Sequence, residues 1–364
     1  MKIKGKKRGD LIFFIIVLLL IGSGMAAVTS ASYPEGLKEF SDGMYFAKRY
    51  MAYMVVGFAG MFVAYTLPRD FTRKFAPHLF YITIGLMLLV VLGFGKGSHG
   101  QDRWFQVPGT SFSFQPSDFI KISSVLFLAK FLSEHRLELY KKDVFFKVVL
   151  ILGVSVLPVM LKDLSTAVVI GASLMTMYFV AGLYMYQFVT LCGLGVLVLI
   201  PMLYKYSYRL TRIFSFFNKS QGALNENYQI NQSLYAIAMG GIGGVGYFRS
   251  RQKYQNLAEA HNDFIFSVIC EEFGMIGGIF ILLLFLGFFA RGFAIATRSK
   301  NYFDKYVTVG LTSFIGIQAL MNIGVGIGVF PVTGITLPFI SYGGTALIIA
   351  MTSAGFILRV SKDV

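Results

Sequence analysis

Leu11-Ile12-Phe13-Phe14-Ile15-Ile16-Val17-Leu18-Leu19-Leu20-Ile21 contains no charged side chain, and the apolar run continues to about residue 30. Some twenty such residues in a helix rise roughly 30 Å, the thickness of a bilayer's hydrocarbon core. Lys2, Lys4, Lys6, Lys7 and Arg8 precede it, so its start also resembles the basic region of a signal peptide. Its length, and the runs that follow, favour a first span. Nine further apolar segments can be drawn, at 45–66, 75–95, 117–133, 145–161, 165–182, 187–204, 264–290, 307–329 and 343–359. The 364 residues are 55% hydrophobic and 14% charged, where a soluble chain carries roughly 25% charged residues. The expected fold is therefore an all-α polytopic membrane protein of about ten transmembrane helices, forming one domain over 1–364.

The net charge is +15, from 33 basic and 18 acidic residues. The basic residues lie between apolar runs, where they set topology and meet anionic lipid rather than nucleic acid. With the N-terminus inside, the inner segments hold Arg69, Arg73 and Lys74, then Arg136, Lys141, Lys142 and Lys147, then Arg291, Arg298, Lys300 and Lys305, and finally Arg359 and Lys362. The short outer loops hold only Lys38, Lys96, Arg103 and Lys162. Both termini are thus expected in the cytoplasm, with one long extracytoplasmic loop, 205–263, between spans seven and eight. Cys192 and Cys270 read as small core residues, and the four histidines lack zinc spacing.

Four stretches carry polar residues to the outer ends of spans. Arg103-Trp104 is followed by Gln115-Pro116-Ser117-Asp118 and Lys121. Pro116 and Ser117 suit a helix start with Ser117 as N-cap, and Asp118 and Lys121 share a helix face. Lys162-Asp163 precedes the sixth span, where Asp163 is either a cap or part of a polar cavity. The long loop carries a glycine cluster from Gly240 to Gly246, then Arg249, Arg251, Lys253, Glu259, His261 and Asp263. Gly241, Gly243 and Gly246 fit G-x-G-x-x-G, but no strand precedes them, so a dinucleotide site is excluded and close packing or a re-entrant turn is expected. Asp263 stands directly before a span and is either its cap or a half-desolvated general base. Glu271 and Glu272 fall inside the eighth apolar segment, where acids are functional candidates. Finally, Pro331 to Thr345 contains two prolines and three glycines, a tight turn or a re-entrant lining.

These stretches, in this order and spacing, resemble the SEDS family of bacterial membrane glycosyltransferases, which includes RodA, FtsW and SpoVE. The motifs are Arg103-Trp104 with Gln115 to Asp118; Asp163-Leu164-Ser165-Thr166; Glu259 to Phe266 with Glu271-Glu272; and Pro331 to Gly344. The resemblance covers essentially the whole chain and implies a single SEDS-type membrane domain in the bacterial cytoplasmic membrane. It implies polymerisation of lipid II into β-1,4-linked glycan strands outside the membrane, with undecaprenyl pyrophosphate released and a class B penicillin-binding protein as partner. It places the family's essential aspartate on Asp263, and its motif acid and lysine on Asp118 and Lys121. The family usually has Glu at Asp118, Thr at Asn262, Pro at Ala258 and Gly at Ser165. Loop residues from Gln232 to Lys253 lean towards the FtsW/SpoVE branch.

The expected site is therefore Asp263 as catalytic base, with Arg103, Asp118, Lys121, Asp163, Arg249, Arg251, His261 and Ser341 binding substrate. No cofactor is certain. A divalent cation, Mg or Mn, held by acids is one candidate for steadying the pyrophosphate. The rival expectation is a lipid II flippase, for which Glu271 and Glu272 are the main argument.

Overall fold

The computed structural model describes residues 9–95, 103–106, 113–205, 225–255, 257 and 259–364, with Leu210 and Phe216 between them. The basic stretch 1–8, Lys96 and Ala258 lie outside these. Ten helices of eighteen residues or more stand among the described residues, at the ten places where spans are expected: α1 Leu11–Ala31, α3 Tyr45–Thr66, α4 Arg69–Leu89, α5 Pro116–Glu134, α6 Lys142–Lys162, α7 Leu164–Gly182, α8 Met185–Lys205, α11 Ile265–Arg298, α12 Tyr302–Gly326 and α13 Gly344–Ser361. Eight are apolar enough to cross a membrane by length and composition. The other two, α3 and α5, have the length but carry Lys48 and Arg49, or Asp118, Lys121 and Lys130. A two-stranded antiparallel ribbon, β1 Phe105–Gln106 with β2 Ser113–Phe114, precedes α5.

The centre is α12 with α13, whose apolar windows are 78% and 83% buried, against 11% for α8 at the periphery. α13 lies along α3, while α12 is flanked by α11, α7 and α5. Without a hydrophobic drive between helices in lipid, close approach depends on small residues. Gly355 on α13 sits so near the α3 backbone that a Cβ would lie 2.3 Å from the Met61 carbonyl oxygen. Cys192 and Cys270 are both free, but only Cys270 is buried; Cys192 lies on the outward face of α8.

One end is tied by ion pairs. Arg291 meets Asp10 at 2.7 Å, Arg69 and Arg359 each meet the buried Asp304 at 2.6 Å, and Arg69 also reaches Asp363. These arginines are ones that charge bias assigns to the cytoplasm. α12 starts at Tyr302, five residues before its apolar run, because Asn301 caps it and Asp304 in its first turn belongs to this cluster.

The segment between α8 and α11 is more ordered than a polar loop implies. It holds α9 Asn225–Gly240 and the short α10 Gln252–Gln255. α9 has 16 residues, about 24 Å of rise, too short to span. It packs against α11, where Ser233 meets the Ser267 hydroxyl at 2.5 Å and the Gly326 carbonyl at 2.6 Å. The glycine cluster then turns back into the protein. α11 breaks at Gly274 (φ 67°), and residues 241–246 mend the break. The N–H of Val245 donates to Glu271 O, that of Gly246 to Glu272 O, and that of Met275 to Gly241 O. Backbone left open by a broken helix at membrane depth is thus satisfied within the protein. Below this seam, Lys253 Nζ pairs with Glu272 at 2.6 Å and donates to Ser30 at 2.7 Å. Glu271 accepts from the Ser250 hydroxyl and the Arg251 N–H. A second element absent from the sequence reading is α2 Tyr33–Phe40, a short amphipathic helix on the outer side.

At Gly244 (φ 80°) a Cβ would lie 2.2 Å from the Glu272 carbonyl oxygen, whereas at Gly241 (φ 54°) it would meet open space. Gly244→Ala is expected to cost more than the roughly 1–3 kcal/mol of the backbone conformation alone, and Gly241→Ala no more than that range. Thermal unfolding of the two variants in detergent measures the difference.

Candidate active site

At the end opposite the Asp304 cluster lies a cavity of about 560 Å³. The start of α3 brings Arg49 and Tyr53 to it, and the segment leading into the ribbon brings Arg103 and Trp104. Asp118 and Lys121 come from the first turns of α5, Asp163 and Thr166 from the start of α7, and Glu259, Asn262 and Asp263 from the turn before α11. Gln318 of α12 and residues 334–336 and 342–344 close the wall. α5, α7, α11 and α13 therefore all point their N-termini this way. Their partial positive charge adds to Arg49, Arg103 and Lys121 and is set against the acids Asp118, Asp163, Glu259 and Asp263, so the wall is polar and of mixed charge. A second cavity, about 530 Å³, opens at the other end and is lined chiefly by Phe14, Phe58, Met61, Phe62 and Leu358. Its wall is almost wholly apolar and holds little that could carry chemistry.

Two of the cavity's basic groups are already paired. Lys121 Nζ sits 2.8 Å from Asp118 Oδ1 and 3.2 Å from Gln318 Oε1, deep in the wall. Thr345 donates to the other Asp118 oxygen at 2.6 Å. Arg103 lies 3.0 Å from Asp163 Oδ2. Asp163 is also the cap of α7, accepting from the Thr166 N–H at 3.0 Å and hydroxyl at 2.9 Å. Cap and cavity wall are thus one role for Asp163. Ser117 does not cap α5: the N-cap is Gln115, which makes no capping bond and instead donates to the Ser117 hydroxyl. Arg49 faces the cavity with Tyr45 as its partner, at 3.0 Å.

Asp263 differs from the other acids. Phe264 is the N-cap of α11, with no side-chain cap bond. No hydrogen bond or ion pair reaches the Asp263 carboxylate among the described residues, and it is half-buried at the wall. Its acidity shows the surroundings: burial, then the charges of Glu259 and Asp163, push it up to about 7, against the pull of Arg103 and His261. A carboxylate of that acidity is half-ionised near neutral pH and accepts a proton more readily than an ordinary one. The turn that carries it is strained at Glu259 (φ 56°), whose carbonyl accepts the N–H groups of Asn262 and Asp263.

Four expected substrate contacts stand elsewhere. Arg249 and Arg251 are exposed beside the re-entrant turn, and neither lines the cavity, because Glu271 draws the 250–252 backbone onto α11. His261 is buried behind the wall between the Phe46 and Tyr342 rings, with Nδ1 3.1 Å from Glu35 of α2. That contact holds Glu35 below the usual carboxylate range. Ser341 is buried too, donating to the Asn262 carbonyl at 2.6 Å and accepting the Leu337 N–H at 2.7 Å. It fastens the 331–343 loop rather than facing a ligand. That loop does line the cavity, and Tyr50 anchors its far side through the Phe339 carbonyl. The sequence reading missed Arg49 and Gln318: a lone polar residue in or beside an apolar run carries no spacing signal.

The family model for cell cycle proteins, which groups FtsW, RodA and SpoVE, matches residues 10–364. The chain belongs to this family. Among FtsW/RodA/SpoVE proteins, it is 37% identical over 360 residues to stage V sporulation protein E of Bacillus subtilis, covering 98% of each chain. It is 36% identical to a probable peptidoglycan glycosyltransferase FtsW of Geobacter sp. (strain M18), covering 97% of this chain and 96% of that one. Solved structures of the family agree in fold. A chain of a peptidoglycan synthase complex that coordinates polymerization and crosslinking superposes with TM-score 0.82 at 26% identity, over 98% of both chains. RodA of Thermus thermophilus superposes with TM-score 0.73 at 26% identity, over 98% of this chain and 97% of that one.

Proposed function

We propose that this chain is a peptidoglycan glycosyltransferase that polymerises lipid II into β-1,4-linked glycan on the outer face of the bacterial cytoplasmic membrane. The observation that carries it is the unpaired Asp263 carboxylate, pushed up to about 7, in a polar cavity whose basic groups would suit a pyrophosphate. In the reaction, the 4-hydroxyl of a lipid II GlcNAc attacks the anomeric carbon of the growing strand. The hydroxyl proton passes to Asp263, the new β-1,4 bond forms with inversion, and undecaprenyl pyrophosphate departs with the bonding electrons. Arg49, Arg103 and Lys121 would offset the charge gathering on the leaving group. A class B penicillin-binding protein would cross-link the product.

Among the described residues no three His, Cys, Asp or Glu side chains gather as a metal site. Asp118 and Asp163 are already engaged by Lys121 and Arg103, so the residues present do not form a metal site of their own. The flippase reading leaned on Glu271 and Glu272. Both now serve the re-entrant seam, Glu272 with Lys253 and Glu271 with Ser250. Purified chain, alone and with its penicillin-binding protein, is expected to convert lipid II into a ladder of glycan strands on a gel. Transbilayer movement of labelled lipid II in vesicles, without any polymer, would establish the rival instead.

A further inference from the structure

Asn322 lies in the last turns of α12, fully enclosed and without a part in the chemistry above. A primary amide has two N–H donors. Both are used on main-chain carbonyls of different segments: Asp263 O at 2.9 Å and Ile335 O at 2.7 Å. Its own oxygen has no partner among the described residues. A buried amide that forgoes an acceptor bond costs stability, so the two donated bonds are what this side chain offers.

Asp263 O is the last of three consecutive carbonyls, each held from outside the turn. His261 O accepts the Tyr342 N–H at 2.9 Å, and Asn262 O accepts the Ser341 hydroxyl at 2.6 Å. The Asp263 N–H is taken by Glu259 O at 3.2 Å. The main chain of the turn is therefore pinned at three consecutive carbonyls, 261 to 263, while among the described residues no donor reaches the Asp263 carboxylate. Two pins come from the 331–343 loop. Gln318 also ties that loop to the buried central helix, through the Thr336 carbonyl, but among the described residues Asn322 is the side chain of that helix that bonds both the turn and the loop, an enclosed platform for positioning a reacting group.

We propose that Asn322 is a positioning residue: by binding the Asp263 and Ile335 carbonyls together, it holds the Asp263 carboxylate unpaired at the cavity wall. This rests on the reading of Asp263 as the base. Charged groups facing that carboxylate are Glu259 and His261 of its own turn, Arg103 before the ribbon and Asp163 at the start of α7. Releasing the turn lets the carboxylate swing towards water or Arg103, and either change makes it a weaker base in a worse place.

The test is steady-state lipid II polymerisation against pH by the purified full chain carrying Asn322→Ala, with Thr308→Ala as a control in a buried hydroxyl of the same helix that bonds only its own backbone. A displacement of about 1 Å can cost about 100-fold, so kcat is expected to fall roughly 10- to 100-fold while KM for lipid II stays within about 2-fold. The acid limb of kcat is expected to move below its wild-type position, and Thr308→Ala to leave it in place. Ser341→Ala removes one pin and is expected to move the limb the same way by less. Should Asn322→Ala not fold, Asn322→Gln displaces the amide by one methylene, and its limb is read instead. An unmoved limb with wild-type kcat per folded molecule overturns the proposal. Asp263→Asn runs alongside: wild-type polymerisation by that variant would sink the reading of Asp263 itself, whereas its loss beside an unaffected Asn322→Ala sinks the positioning role alone.

Discussion

Asp263→Asn is expected to lower lipid II polymerisation by about 10²- to 10⁴-fold, the usual worth of a general base, while making the protein more stable at pH 8. The two effects share one cause. Burial and the neighbouring charges of Glu259 and Asp163 push the Asp263 carboxyl up to about 7. Its folded value thus lies above the ordinary 3.8, so between about pH 4 and 7 the folded chain holds a proton that the unfolded chain has released. The stabilising contribution of that proton is full below pH 4 and is lost as pH rises through 7, where the ionised carboxylate becomes a net cost. Asparagine never ionises, so its advantage in thermal unfolding should appear above about pH 4, grow until about pH 7 and level off beyond it. In the wild type, the same ionisation means that kcat/KM falls as pH drops through about 7. A variant that keeps wild-type turnover, or one whose unfolding temperature tracks the wild type at every pH, contradicts this account.

How far the sequence foretold this can be judged residue by residue. Long apolar runs must become helices in a bilayer, because unpaired backbone there has no alternative. The ten spans were therefore legible in place but not in all their ends: α4 stands at 69–89 against an expected 75–95, α11 runs eight residues past its expected end, and Asn301 starts α12 five residues early. Asp118 with Lys121 was legible because three residues separate them on one helix. Asp163 and Asp263 were legible as candidates from their places before spans, and the resemblance supplied the choice of base. Arg249, Arg251, His261 and Ser341 were misplaced for a single reason. Proximity in sequence to Asp263 or the last motif says nothing about which way a side chain turns once Glu271 and the 331–343 loop have drawn the backbone aside. Asn322 was invisible, since its two partners lie 59 and 13 residues away and a lone amide in an apolar helix has no pattern to read.

Lys121→Met is expected to destabilise the chain by about 3–5 kcal/mol, because it strands a buried carboxylate. Asp118 and Lys121 are each 5% exposed or less, and their 2.8 Å contact is the only ion pair either makes among the described residues. The remaining partner of Asp118, the Thr345 hydroxyl at 2.6 Å, is neutral and cannot replace an ammonium. Removing both charges together should behave differently. Asp118→Leu with Lys121→Met leaves no unpaired ion, and replacing a buried pair by apolar groups is often neutral or stabilising. Most of the lost stability should therefore return in the double variant. Activity should not, if the pair faces substrate: the cavity would then present two apolar surfaces where Gln318, Thr345 and the pair now form one polar wall. Thermal unfolding of the single and double variants, set beside polymer yield on a gel, separates the two roles. Recovery of both stability and polymerisation in the double variant would make Asp118 and Lys121 a structural pair only. Recovery of stability alone leaves them facing the sugar or the pyrophosphate.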